Sequence, residues 1–269
     1  MNNLDKLIIL IYIKSKLELF HKKPKNIFLG GSAWGSAFYI GVYQGLLEKY
    51  ENLNDINFYS VSAGSLLALC MILRMSPDEI TKIYLDLANQ ANKEGIFLKM
   101  TKYHNLALDK ILKNDEDYKK VNGKLNIGIS IYPDQHLIVN NWNSNEELRH
   151  DLHCTFSLPY YTTYNALKNN KLALDGAITF NQKFYPENIL YIGMINCHIN
   201  SNLSTKECTY PILGDKLNNI ILDGYNKIKN YNFDYIDTDV KIKGGFLFPK
   251  KLWWLLKLST KFFIKNKFY

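Results

Sequence analysis

Ser60-Val61-Ser62-Ala63-Gly64 constrains this chain more than any other segment. It joins a short strand-forming run, Asn57–Ser60, to Ala63–Arg74, whose apolar residues on every side predict a deeply buried helix. A serine flanked by small residues at a strand-to-helix turn has the form of a nucleophile elbow, here with Ser60 where the pattern usually has glycine. The turn is too sharp for larger neighbours, and the helix N-terminus favours negative charge developing at Ser62. Taken alone, Ser62 reads equally well as the N-cap of the helix.

Two further strand ends give the elbow a context. Gly30-Gly31-Ser32-Ala33-Trp34-Gly35 follows the strand-like Ile27–Leu29 and precedes a helix expected from Ser36 to Glu48. Small residues there allow a tight turn that aims consecutive N–H groups at an anion or a developing oxyanion. The spacing is not G-x-G-x-x-G, and no clear acidic residue ends a second strand where a ribose partner would sit, which argues against a dinucleotide loop. Asp175-Gly176-Ala177 follows the strand Leu172–Leu174. By itself each also reads as a plain turn. In this order, an oxyanion loop, a serine elbow and a lone carboxylate make up a Ser–Asp hydrolase. A Ser–Asp–His α/β-hydrolase is the competitor, but its elbow usually follows several strands and Ser62 follows two. His198 sits in no recognisable context, and His21, His104, His136, His150 and His153 have no usable spacing to the serine.

The remaining pattern fits the same class. Ser76-Pro77-Asp78-Glu79 starts a helix with an N-cap serine, proline at N1 and an acidic first turn, and helical segments run to about Lys113. Leu125–Tyr132 and Leu137–Asn140 read as strands around Pro133-Asp134, Ser144-Asn145-Glu146-Glu147 as a capping box, and Ile189–Ile195 as the last clear strand. Strands alternating with helices predict an α/β fold, a three-layer α/β/α sandwich with a largely parallel central sheet.

Composition excludes other classes. The chain is 47% hydrophobic and 14% aromatic, enough for a sizeable core. No apolar run approaches the roughly 18 residues of a spanning helix. Leu7–Ile13 is short for a signal-peptide core and lacks a clear cleavage site, so it reads as an N-terminal helix. Cys70, Cys154, Cys197 and Cys208 make no CxxC pair and no zinc spacing with the histidines, as expected of a reduced, intracellular chain without a metal. Only Arg74 and Arg149 are arginines, which speaks against nucleic-acid binding. Residues 241–269 hold eight lysines and no acid, while the rest carries 25 basic and 25 acidic residues, so the whole formal charge of +8 lies in this segment. On a helix, Lys250, Lys257 and Lys261 share one sector; with Lys251, Trp253 and Trp254 they are candidate membrane contacts.

With these residues in view, the sequence resembles the patatin-like phospholipases, whose hallmarks are a glycine-rich oxyanion loop, a G-x-S-x-G serine and a D-G-[GA] aspartate. The resemblance covers roughly Asn26 to Tyr185. Leu125–Pro159 looks most like the adipose triglyceride lipase and adiponutrin branch, through Ser144-Asn145-Glu146-Glu147-Leu148, Cys154 and Leu158-Pro159. Ser32 replaces the family's third loop glycine, and Trp34 replaces a basic residue. The resemblance implies a lipid acyl hydrolase with Ser62 as nucleophile and Asp175 as general base. Gly30, Gly31, Ser32 and Ala63 would form the oxyanion hole, and Ser60, Gly64, Gly35 and Gly176 would support elbow and loop. It also implies no cofactor, a glycerolipid substrate and a cytoplasmic protein peripherally bound to a membrane or lipid droplet. A catalytically silent lipid-binding or membrane-anchored module of this fold is the alternative. The expected divisions are an N-terminal helix over 1–25, a catalytic domain over 26–188, an extension over 189–240 and a basic-aromatic tail over 241–269.

Overall fold

The computed structural model describes residues 23–162, 166–194, 196–233 and 236. The expected N-terminal helix lies almost wholly outside the described residues, and so do the tail and its candidates Lys250, Lys251, Trp253, Trp254, Lys257 and Lys261.

Strand β1 (Asn26–Leu29) leads through a 3-10 turn, Ala33–Ser36, into helix α1 (Ala37–Lys49). Strand β2 (Asn57–Ser60) is followed by α2 (Ala63–Ile72), α3 (Pro77–Glu94), α4 (Met100–Ile111) and α5 (Asp117–Val121). Then come β3 (Leu125–Ile131), β4 (Gln135–Val139), α6 (Asn145–Thr155), β5 (Leu167–Lys168), β6 (Lys171–Leu174), β7 (Leu190–Gly193) and β8 (Ile199–Asn200). Helices α7 (Thr205–Thr209) and α8 (Asp215–Lys229) follow. Ser76 caps α3 as expected, accepting the Glu79 N–H. Ser144 likewise accepts from Glu147 at the start of α6, but the Glu147 carboxylate turns to the Asn143 N–H, so the predicted capping box is half formed. A reciprocal box closes instead at Ser204 and Glu207, ahead of α7.

The sheet is mixed and largely parallel. β2, β1, β7 and β8 pair in parallel, and β3 joins β2 in the same sense. The register along β3 positions the site. One edge of β3 bonds β4 antiparallel over Ile127–Ile131. On the other edge β2 occupies Leu125–Ile127, and antiparallel β6 occupies Ser130–Ile131. Two strands therefore run toward each other along one edge of β3 and both turn away near Gly128.

Alternation along the strands sorts the core. Ile27, Leu29, Phe58, Ile127, Ile129 and Ile192 share one cluster with the helices. Phe28 and Tyr191 face the other way, onto Phe180 and Tyr185 of the segment after β6. Helix α8, unforeseen in the sequence, lies against α1 with backbones almost touching: a Cβ on Gly41 would stand 1.7 Å from the Ile221 carbonyl oxygen.

Candidate active site

Ser62 lies between β2 and α2 with φ 54° and ψ −139°, a conformation L-residues avoid at a cost of about 1–3 kcal/mol. The surroundings fix it. Its N–H donates to Thr155 Oγ1 at 2.9 Å, and that hydroxyl donates to the Gly128 carbonyl at 2.7 Å. The Val61 N–H reaches the Leu29 carbonyl at 3.2 Å. Gly64 must be glycine for this approach, since a Cβ there would come within 2.3 Å of the Leu29 oxygen. Ser62 occupies the N-cap position of α2, but its side chain makes no capping bond there. Ser60, fully buried, ends β2 one residue before the turn.

Asp175 follows β6 and is 3% exposed. Its N–H donates to the Ser157 carbonyl at 2.8 Å, its carbonyl accepts the Ser130 hydroxyl at 2.7 Å, and its Oδ1 accepts the Ala177 N–H at 2.9 Å. The next residue, Gly176, passes so close to β3 that a Cβ would lie 2.0 Å from the Gly128 oxygen. Burial pushes the carboxyl up to about 6, against the Ser62 hydroxyl and the Ala177 N–H, which both stabilise its charged form. The sequence's two candidate residues thus meet where β2 and β6 converge.

The loop after β1 reaches the same point. A Cβ on Gly31 would stand 3.3 Å from Ser62 Cβ and 3.8 Å from its Oγ. Gly30 needs a correction as an oxyanion donor: its N–H is spent in the sheet, donating to the Ile192 carbonyl at 3.0 Å, and its own carbonyl takes the Tyr39 hydroxyl. Among the described residues the N–H groups of Gly31, Ser32 and Ala63 carry no hydrogen bond. Gly35 belongs to packing, with Cys208 and Met194 where its Cβ would be.

An apolar cavity runs from Ser62 and Ala63 between α2, α3 and α4, lined by Leu66, Ile83, Leu87, Ala107 and Phe156 among others. Trp34, at the loop position of the missing cation, forms part of its wall and stacks edge-on with Tyr84 and Tyr103. His104 also lines it, but burial, helped by His153, drives that imidazole down to about 3, so it is neutral. His136 bonds Thr179 and Tyr185, His153 bonds Asn105, and His198 accepts the Tyr191 N–H. No hydrogen bond among the described residues ties an imidazole to Ser62 or Asp175.

His150, Asp151 and Cys154 bring three donor atoms within 4.8 Å of one another. The arrangement does not suit a cation. Asp151 already bonds Lys168 Nζ and Trp142 Nε1, His150 Nε2 bonds the Leu167 carbonyl, and burial lifts the Cys154 thiol to about 12. The supporting residues that sequence reasoning missed are Thr155, Ser157 and Ser130. They bond through backbone partners distant in sequence, which no local motif announces.

A family model described as "Patatin-like phospholipase" matches residues 27–186. No curated protein matches the chain. Similar solved structures include the heterodimeric ExoU–SpcU complex of the type III secretion system of Pseudomonas aeruginosa, at 12% identity and TM-score 0.44, covering 77% of this chain and 51% of that one. VipD from Legionella pneumophila is similar at 11% identity and TM-score 0.44, covering 77% and 66%. The type III effector protein ExoU is similar at 11% and 0.43, covering 78% and 52%. The chain thus spans 51–66% of the length of these structures.

Proposed function

Because the chain belongs to the patatin-like phospholipase family, we propose that it hydrolyses glycerolipid esters with Ser62 as nucleophile and Asp175 as general base. One observation carries this reading: a serine on a constrained elbow stands by a buried carboxyl whose charged form its hydroxyl stabilises, next to unbonded backbone N–H groups and an apolar cavity. Asp175 takes the Ser62 proton as Oγ attacks the ester carbonyl carbon. The N–H groups of Gly31, Ser32 and Ala63 receive the oxyanion, each such donor being worth about 10²–10³ in rate. The alcohol leaves with the proton from Asp175, and water activated by the same carboxylate releases the fatty acid. The acyl chain occupies the apolar cavity.

The likeness of Leu125–Pro159 to the adipose triglyceride lipase branch, together with the apolar Trp34, adds neutral acylglycerols to phospholipids as candidate substrates. Peripheral association with a membrane or lipid droplet is part of the same reading. The test is labelling of the purified chain by a fluorophosphonate, followed by turnover of a phospholipid and triacylglycerol panel. Ser62→Ala should abolish labelling and turnover, and Asp175→Asn should abolish turnover. Full activity in either variant refutes the dyad.

A further inference from the structure

We propose that Phe97, Leu98, Tyr160 and Tyr210 form a face that seats the protein on a phospholipid surface beside the cavity; this rests on the lipid hydrolysis proposed above. These side chains are 65%, 42%, 52% and 60% exposed. Isolated apolar residues on a surface need no explanation, but these four are gathered by specific bonds. The Leu98 N–H donates to the Tyr160 carbonyl at 3.2 Å, and the Met100 N–H to the Tyr161 carbonyl at 3.1 Å. The Tyr161 hydroxyl donates to the Thr209 carbonyl at 2.8 Å, which ties the chain just before Tyr210 to the same region. Met100 and Tyr161 line the cavity that holds Ser62, so their neighbours in the chain stand at its edge.

Leu98 and Tyr160, bonded to each other, both hold positive φ, 56° and 66°. Bulky residues avoid that conformation, yet here it belongs to two exposed apolar side chains. The charge fits one occupant. Residues 93–102 carry Lys93, Lys99 and Lys102 against Glu94, which pairs with Lys102 at 2.7 Å, leaving the segment of the apolar side chains net positive. Apolar side chains entering the acyl boundary with lysines at phosphate depth suit a phospholipid surface.

The test compares the full chain with Leu98→Asn/Tyr160→Asn, since asparagine accepts positive φ and the variant should fold. Vesicles of phosphatidylcholine in roughly 0.5 M NaCl screen the contribution of other lysines. Removing two apolar side chains from the acyl boundary predicts a loss of about tenfold or more in vesicle binding and in hydrolysis of vesicle-borne lipid. Hydrolysis of a soluble short-chain ester should stay within about twofold of the parent. Unchanged vesicle binding overturns the proposal. So does a change confined to oligomeric state, which would assign the face to a second copy of the chain. Binding is also measured in the Ser62→Ala background. A parent chain inert toward every ester would then refute the catalytic reading, while the docking face is judged on binding alone.

Discussion

Among the described residues Asp175 is the one carboxyl held above its ordinary range, and that singles it out energetically as well as chemically. Burial raises it from 3.8 to about 6, so the folded protein holds this proton more tightly than the unfolded chain does. The associated stability is fully present below about pH 4 and is lost as pH rises through about 6, at a cost near 3 kcal/mol for a rise of this size. Asp175→Asn should therefore melt higher than the parent at pH 8, with the difference vanishing by pH 4, even though the proposed mechanism predicts that this variant is inactive. Catalysis runs the other way. As a base the carboxylate must be ionised, so kcat/KM on a soluble ester should climb along an acid limb centred near pH 6. In Ser62→Ala the carboxyl loses the hydroxyl that stabilises its charged form and should titrate higher still, which carbon-detected NMR of the aspartates would show. That Ser62 and Asp175 come together was legible in the sequence, because a Ser–Asp dyad of the proposed kind demands small neighbours in fixed order. Gly30 was misjudged because a loop glycine and the last sheet-bonded residue look alike until the Ile192 partner is placed.

How the elements meet was less legible. Ser62 and Asp175 converge because β2 and antiparallel β6 share one edge of β3, a nonlocal pairing that strand patterns do not encode. Thr155, at the end of α6, ties that junction together: its hydroxyl bridges the elbow N–H and the Gly128 carbonyl, and its own carbonyl accepts the Gly176 N–H at 3.3 Å. Thr155→Val keeps the shape and orphans two buried groups, at about 1–3 kcal/mol each. It should lower kcat at least about tenfold with little change in KM, and Thr155→Ser should recover most of the loss; equal kcat in Val and Ser variants would deny Thr155 its positioning role. Helix α8 went unread although Leu217, Ile220, Gly224 and Ile228 have helical spacing, because its inward face contains a glycine and its polar face is rich in Asn and Lys. The glycine is there for contact: a Cβ on it would lie 2.1 Å from the Phe38 oxygen. Gly41→Ala, on the opposing α1, must push the helices apart. A loss of about 2–3 kcal/mol, or roughly 5–10 °C in melting temperature, is expected by calorimetry.

At the scale of the whole molecule, charge and apolar surface are divided between different parts of the chain. The formal charge of +8 belongs entirely to residues 241–269, whereas the exposed apolar cluster belongs to the body around the cavity. The two would bind lipid by different physics. Lysines near an anionic surface add about 1 kcal/mol each, and the attraction fades within a Debye length of about 8 Å at physiological salt. Burial of Phe97 and Leu98 depends little on salt. Truncation after Lys243 removes six lysines and no acid, leaving a formal charge of +2. The truncated chain should bind phosphatidylserine vesicles more weakly than the full chain at low salt, and the two should converge as salt is raised. Its soluble-ester activity should persist, because Ser62, Asp175 and the Gly31–Ser32 loop lie far upstream. Liposome flotation across a salt series measures this directly. Equal binding of both chains at low salt would mean that the basic segment serves the fold of the body and not the lipid surface.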